Sequence, residues 1–162
     1  MQKIFSRYQE KGNAMKISDN GLNLIKKFEG CRLTAYQDAV GVWTIGYGTT
    51  NADKAITGTT ICQGLKITQE TADEWLRQSV DKKYGPKVGK YSKYEWNQNE
   101  FDALVSFSYN IGSIDGLTAK GTRTRSEIAA KILEYNKAGG KILSGLVRRR
   151  QKEQKLFLTH VT

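Results

Sequence analysis

The stretch FEGCRLTAYQDAVGVWTIGYGTT, residues Phe28 to Thr50, holds a glutamate, an aspartate and a threonine in one compact unit. Apolar residues at positions 22, 25 and 28 give the chain before it the inward stripe of a helix, which Glu29 ends and Gly30 turns. LTAYQ, DAVG and VWTIGYG then read as a β-hairpin, rich in aromatic and β-branched residues around a glycine-bearing turn. Alternation sorts the hairpin into two faces. Leu33, Ala35, Trp43, Ile45 and Tyr47 form an apolar set expected to pack inward. Thr34, Tyr36, Asp38, Thr44, Gly46 and Gly48 form a polar face whose small residues leave space, with Val42 as the exception. Asp38 and Thr44 are thereby expected to share one open face.

Glu29 is the informative residue. A helix ends with partial negative charge, so a glutamate there sits against the dipole, in a field that opposes ionisation. Taken singly, a glutamate at a frayed helix end, an aspartate in a turn and a threonine in a strand are each ordinary structural choices. Their combination at a helix–hairpin junction is what points to chemistry.

Helix starts recur along the rest of the chain. Ile17-Ser18 before DNGL, Ile67-Thr68 before QETA and Trp96-Asn97 before QNEF each offer a cap and a hydrophobic staple. Thr124 to Glu127 reads as a capping box before IAAKIL. Helices are expected near 18–29, 68–82, 97–110, 124–138 and 144–157. Gly112 and Gly139-Gly140 punctuate ends, and Pro86 is expected to break a helix near Tyr84. The fold class is α+β: a small β lobe over about 30–67 beside a larger helical lobe over about 68–158, with a cleft between them.

With 162 residues, the chain fits one domain and can bury a substantial core. Lys and Arg number 26 against 16 Asp and Glu, a net charge of +10 that favours anionic partners such as nucleic acid, lipopolysaccharide or a bacterial envelope. No apolar run of about 18 residues is present. The N-terminus MQKIFSRYQEKGNAMKIS lacks the apolar core of a secretory signal. Cys31 and Cys62 allow at most one disulfide and cannot alone make a four-ligand zinc site. A Cys31–Cys62 bond would tether the Glu29 turn to the β lobe; two free thiols are the alternative, favoured in a reducing compartment.

Glu29, eight residues, Asp38, five residues and Thr44, within EGCRLTAYQDAVGVWTIGYG, resemble the catalytic signature of phage-type lysozymes, glycoside hydrolase family 24. The similarity runs over about residues 15–158 and includes ICQGLKIT, YNIG and KAGGKILSGLVRRR. It implies a lysozyme-like fold, with residues 15–162 a single catalytic domain behind an N-terminal extension, 1–14. It also implies hydrolysis of β-1,4 bonds between N-acetylmuramic acid and N-acetylglucosamine in peptidoglycan. Glu29 is carried over as general acid, and Asp38 and Thr44 as the pair that positions the attacking water. Tyr109 and Asn110 are suggested as cleft lining, and Thr50 as the opposite wall. No metal or organic cofactor is implied. GSIDGLTAKGTRTR departs from the family pattern, so no sugar contact is transferred to it.

The chemistry needs these residue types. One protonated carboxyl gives its proton to the leaving oxygen, and an ionised one serves near the anomeric centre. A threonine hydroxyl both donates and accepts, and can hold a water. In GLVRRRQKEQKLFL, one of Arg148 and Arg149 is expected to fold back and pair with Glu29, as in the family pattern. Arg150 reads as part of a solvated face. The remaining basic groups of this C-terminal helix, with Leu156, Phe157 and Leu158 behind them, form a surface suited to lipopolysaccharide phosphates or an outer membrane. His160 reads as a solvated tail residue. A monomer is expected, accumulating in the host cytoplasm and needing a holin-like pore to reach the wall. Two other classes compete: a catalytically silent glycan-binding module, and a basic nucleic-acid or membrane-surface protein. A specific RNA reader would need a stacking motif that is not seen.

Overall fold

The computed structural model describes residues 14–161. Of the expected N-terminal extension, only Ala14 falls among them.

Helix α1, Asp19–Glu29, is followed by an antiparallel sheet of β1 (Arg32–Gln37), β2 (Trp43–Gly46) and β3 (Thr49–Thr50) in that order. A 3₁₀ turn at Asn51–Asp53 and the short α2, Lys54–Thr57, complete the β lobe. Helix α3, Gln69–Ser79, leads out of it and runs through a π-helical turn, Val80–Tyr84, into α4, Gly85–Gly89. The helical lobe continues with α5 (Gln98–Ile111), α6 (Asp115–Thr118) and α7 (Arg125–Ile132). A hairpin of β4 (Lys137–Ala138) and β5 (Lys141–Ile142) precedes the final helix α8, Ser144–Leu158. No described helix is long and apolar enough to cross a membrane.

Helix α5 is the axis of the core. Every residue from Glu100 to Ser108 is buried, because α1 and α8 pack on it from different sides. Ile25, Leu104, Phe107, Ile128 and Ile132 are fully enclosed there. Gly21 allows the close approach of α1: a Cβ at that position would lie 2.9 Å from the Asp102 side chain. A second, smaller cluster of Ile45, Ile61 and Trp75 holds the sheet against α3.

Several expectations need correction. Pro86 interrupts the α-helix near Tyr84, as expected, but does not end the helical run. Its missing N–H and its ring conflict with α-helical bonding to the preceding turn. The chain widens instead into the π turn, closed by the Gly85 N–H on the Val80 carbonyl, and α4 restarts with Pro86 in its first turn. The helix expected over 124–138 stops at Ile132, and Gly139 and Gly140, both at positive φ, make the two-residue turn of the β4–β5 hairpin instead. Ser18 does not cap α1 with its side chain. Its N–H donates to Asp102 Oδ1 at 3.0 Å, and its hydroxyl donates to Asp102 Oδ2. Thr68 does cap, and Asn97 and Thr124 form full capping boxes with Glu100 and Glu127.

The two faces of the hairpin are also less clean than alternation suggests. A register irregularity between Arg32 and Tyr36 breaks the period, and Leu33 stays exposed. Thr44 and Gly46 are buried, not open, because β3 pairs beside Thr44 and Ala72 of α3 packs under Gly46.

Candidate active site

The C-terminus of α1 delivers Glu29 to the edge of a cavity of about 620 Å³ that Lys27, Asn110, Leu143, Arg148 and Arg149 also line. Gly30, at φ +67°, ends the helix with its N–H on the Lys26 carbonyl and turns the chain toward the hairpin. Gly48 faces it at close range: a Cβ there would sit 3.6 Å from Glu29 Oε2. On the other side, Arg149 Nη1 donates to Glu29 Oε1 at 2.6 Å. Arg149 is buried, while its neighbour Arg148 is exposed on the cavity wall.

The hairpin holds the second carboxyl by local bonds. Asp38 is exposed in the turn between β1 and β2, and its Oδ1 accepts the Val40 and Val42 N–H groups, each at 2.9 Å. Its own N–H donates to the Val42 carbonyl, which also accepts the Thr44 hydroxyl at 2.9 Å. The turn thus joins Asp38 and Thr44 through Val42. No hydrogen bond or ion pair links either of them to Glu29 among the described residues. Thr50 lies opposite Thr44 across β2 and β3, and is occupied in a capping box with Asp53.

Tyr109, beside the cavity-lining Asn110, is not itself part of that lining. Its hydroxyl donates to the Tyr47 carbonyl, a bond between the two lobes, and its ring packs on Tyr84 at 4.9 Å. Burial, and then the nearby Glu29 charge, push its hydroxyl far above the usual tyrosine range, so it serves as a fixed donor. Lys83 adds a second tie between the lobes, with Nζ 3.5 Å from Asp53 Oδ1.

Sequence reasoning placed Arg150 on a solvated face. The structure buries it completely, with its guanidinium 4.8 Å from the Phe107 ring centroid and Nε 2.7 Å from Glu153 Oε1. A helix turn of about 100° per residue sends adjacent arginines in different directions, and here the core lies in the direction of the third. Glu153 and Ser106 were missed. The spacing of Arg149 and Glu153, i to i+4, was a readable signal for the first; nothing local marks the second.

Cys31 is half-buried and Cys62 exposed, both free thiols, so no disulfide tethers the turn. Among the described residues no cluster of three or more His, Cys, Asp or Glu could hold a metal ion. A second cavity, of about 380 Å³ and lined by Met15, Ile17, Val80, Pro86 and Trp96, includes none of these site residues.

The phage lysozyme family model matches residues 26–153. An endolysin of Lactococcus phage c2 is 45% identical over 145 residues, covering 88% of this chain and 60% of its own length. The chain thus spans 60% or less of the Lactococcus and Bacillus phage endolysins it matches. An endolysin from Escherichia coli O157:H7 phage FAHEc1, at 37% identity, superposes with a TM-score of 0.73 over 89% of this chain and 94% of that one. The muramidase domain of SpmX from Asticaccaulis excentricus, at 34% identity, does so with a TM-score of 0.69 over 90% and 99%. With the fold and the family match in agreement, the chain belongs to the phage lysozyme family.

Proposed function

We propose that the protein is an endolysin that hydrolyses the β-1,4 bonds between N-acetylmuramic acid and N-acetylglucosamine in bacterial peptidoglycan. The observation that carries this reading is the placing of Glu29 at a cavity edge, at a helix end, gripped by a buried arginine. Glu29 donates a proton to the leaving glycosidic oxygen as the bond to the anomeric carbon breaks. A water held by Asp38 and Thr44 attacks that carbon from the opposite face, and its proton passes to the Asp38 carboxylate. The product is inverted, which calls for carboxyl groups about 6.5–9.5 Å apart, rather than the about 5–5.5 Å of retaining enzymes. Tyr109, Asn110 and Thr50 are the proposed lining of the glycan cleft.

Glu29→Gln tests the reading. It keeps the shape of the side chain and removes the transferable proton, and general acid catalysis contributes about 10²–10⁴-fold. Lysis of purified cell walls falls at least a hundredfold in a folded variant; turnover near the parent's would overturn the assignment. NMR of the newly formed anomer separates inversion from retention, and a β product would count against inversion.

Delivery forms a second part of the proposal. Synthesis in the host cytoplasm and release through a holin-type pore predict that expression alone leaves cells intact, and prompt spontaneous lysis would contradict this. Arg148, Lys152 and Lys155 follow one stripe of α8 and are exposed, a surface suited to lipopolysaccharide phosphates; Arg150 is buried and takes no part. Neutralising Lys152 and Lys155 together should spare hydrolysis of purified walls and weaken killing of intact cells, most at low salt. Equal killing by variant and parent would remove the envelope role.

A further inference from the structure

Arg149 divides its guanidinium between two carboxyl groups. Besides Nη1 on Glu29, its Nη2 donates to the Ser106 carbonyl at 3.0 Å and its Nε to Glu153 Oε2 at 3.3 Å. Glu153 is fully buried, and its Oε2 also accepts the Ser106 hydroxyl at 2.6 Å. A buried carboxyl is costly unless paired, and this one has two arginines and a serine around it.

We infer that Glu153, oriented by Ser106, is a positioning residue of the proposed reaction: by sharing Arg149 it fixes where the Glu29 carboxyl points and limits how much of the arginine's charge acts on that carboxyl. The inference rests on Glu29 being the acid. Charge arithmetic shows why the limit matters. Arg149 and Arg150 bring two positive charges to the interior beside Glu29. With Glu153 ionised, the cluster carries one net positive charge when Glu29 is protonated and none when it is ionised. Without the Glu153 charge, Glu29 would face two uncompensated guanidinium groups in a medium of low dielectric, where ionisation is strongly favoured. A general acid would then lose its proton at lower pH. Burial pushes the Glu153 carboxyl above the usual glutamate range, and Arg150 and then Arg149 oppose that shift.

Glu29 is approached by Arg149 and, farther off, Arg150 from α8, and by Tyr109 from α5. Tyr84 and Asp53 act on that same tyrosine, and Lys27 and Arg148 line the cavity. Asp53 is engaged by Lys83. Glu153 itself is faced by Arg149 and Arg150 from its own helix and by Ser106 from α5.

Glu153→Gln is the test, read as kcat, KM and the pH–activity profile on purified peptidoglycan, with Glu29→Gln assayed in parallel. The expected result is a kcat lower by about tenfold, part of the 10²–10⁴ that a well-placed acid supplies, with KM within about twofold. The alkaline limb of the profile should move to lower pH, a shift that a purely structural role would not produce. A folded Glu153→Gln enzyme with the parent's kcat and alkaline limb, beside an inactive Glu29→Gln, overturns this inference alone. An active Glu29→Gln overturns the underlying reading as well. Should Glu153→Gln fail to fold, Ser106→Ala loosens the same carboxyl without changing charge. A kcat about threefold lower at unchanged KM supports the inference, and an unchanged kcat overturns it.

Discussion

Glu29 and Asp38 stand close together in the chain and in opposite kinds of surroundings. Glu29 is held by a guanidinium that reaches it from α8, through an arginine itself anchored in the core. Asp38 is exposed and held only by N–H groups of its own turn. The position of the Glu29 carboxyl is therefore a property of the whole helical lobe. That of the Asp38 carboxyl belongs to its own turn. Damage to the core should misplace Glu29 first, whereas damage to the hairpin tip should affect Asp38 with little cost to folding.

The strongest way to break this contrast is in the core. Arg150→Ala removes a fully buried cation from beside Glu153 and opens a cavity next to Phe107. It should cost about 3–5 kcal/mol, the range for breaking a buried pair, measured by denaturant unfolding. A loss below about 1 kcal/mol, the ordinary range for exposed pairs, would mean that the interior arginines are not structural. Asp102→Ala comes next. It strands the Ser18 N–H and the Ser18 hydroxyl, leaves the Gln98 amide with the Lys16 carbonyl alone, and should cost about 2–3 kcal/mol. Stability unchanged at that site would show α1 to be held by apolar contact alone.

Alkali gives a smaller effect. Burial, and then the hydrogen bond to Asp73, push the Tyr47 hydroxyl up to about 12. A group whose folded-state value is raised contributes stability below its unfolded value, and loses it as pH rises toward the folded one. Stability should therefore fall between about pH 10 and 12, and fall less in Tyr47→Phe; equal slopes in the two proteins would exclude this tyrosine as the cause. The smallest effect belongs to the hairpin. Asp38→Asn keeps an acceptor for Val40 and Val42, so stability should change by about 0.5 kcal/mol or less, while wall lysis collapses. A large loss of stability there would erase the contrast between the two sites.

Local chemistry carried much of the fold into the sequence. Thr68, Asn97 and Thr124 cap their helices because the partners of each cap lie within a few residues. Glu29 at a helix end and Asp38 in a turn were legible for the same reason. Ser18 looked identical to those caps but is taken by Asp102, a residue 84 positions away that no local pattern could reveal. Arg148, Arg149 and Arg150 read alike as letters, yet one is exposed, one grips Glu29 and one is sealed beside Phe107. Only the direction of the core separates them. Gly139-Gly140 read as the end of a helix over 124–138, yet that helix stops at Ile132 and the glycines turn a hairpin, since a helix stop and a two-residue turn use the same residue.

The Ser18–Asp102 clasp has a mechanical consequence. It lies at the start of α1, whereas Glu29 lies at that helix's other end. A force applied through the chain upstream of Ala14 meets Ile17, buried in the core, and then the clasp before it can turn the helix. A targeting module or affinity tag joined on that side would thus pull against α5, and Glu29 would stay seated. The same attachment made beyond Leu158 would load α8 directly, and with it the arginine that aims Glu29.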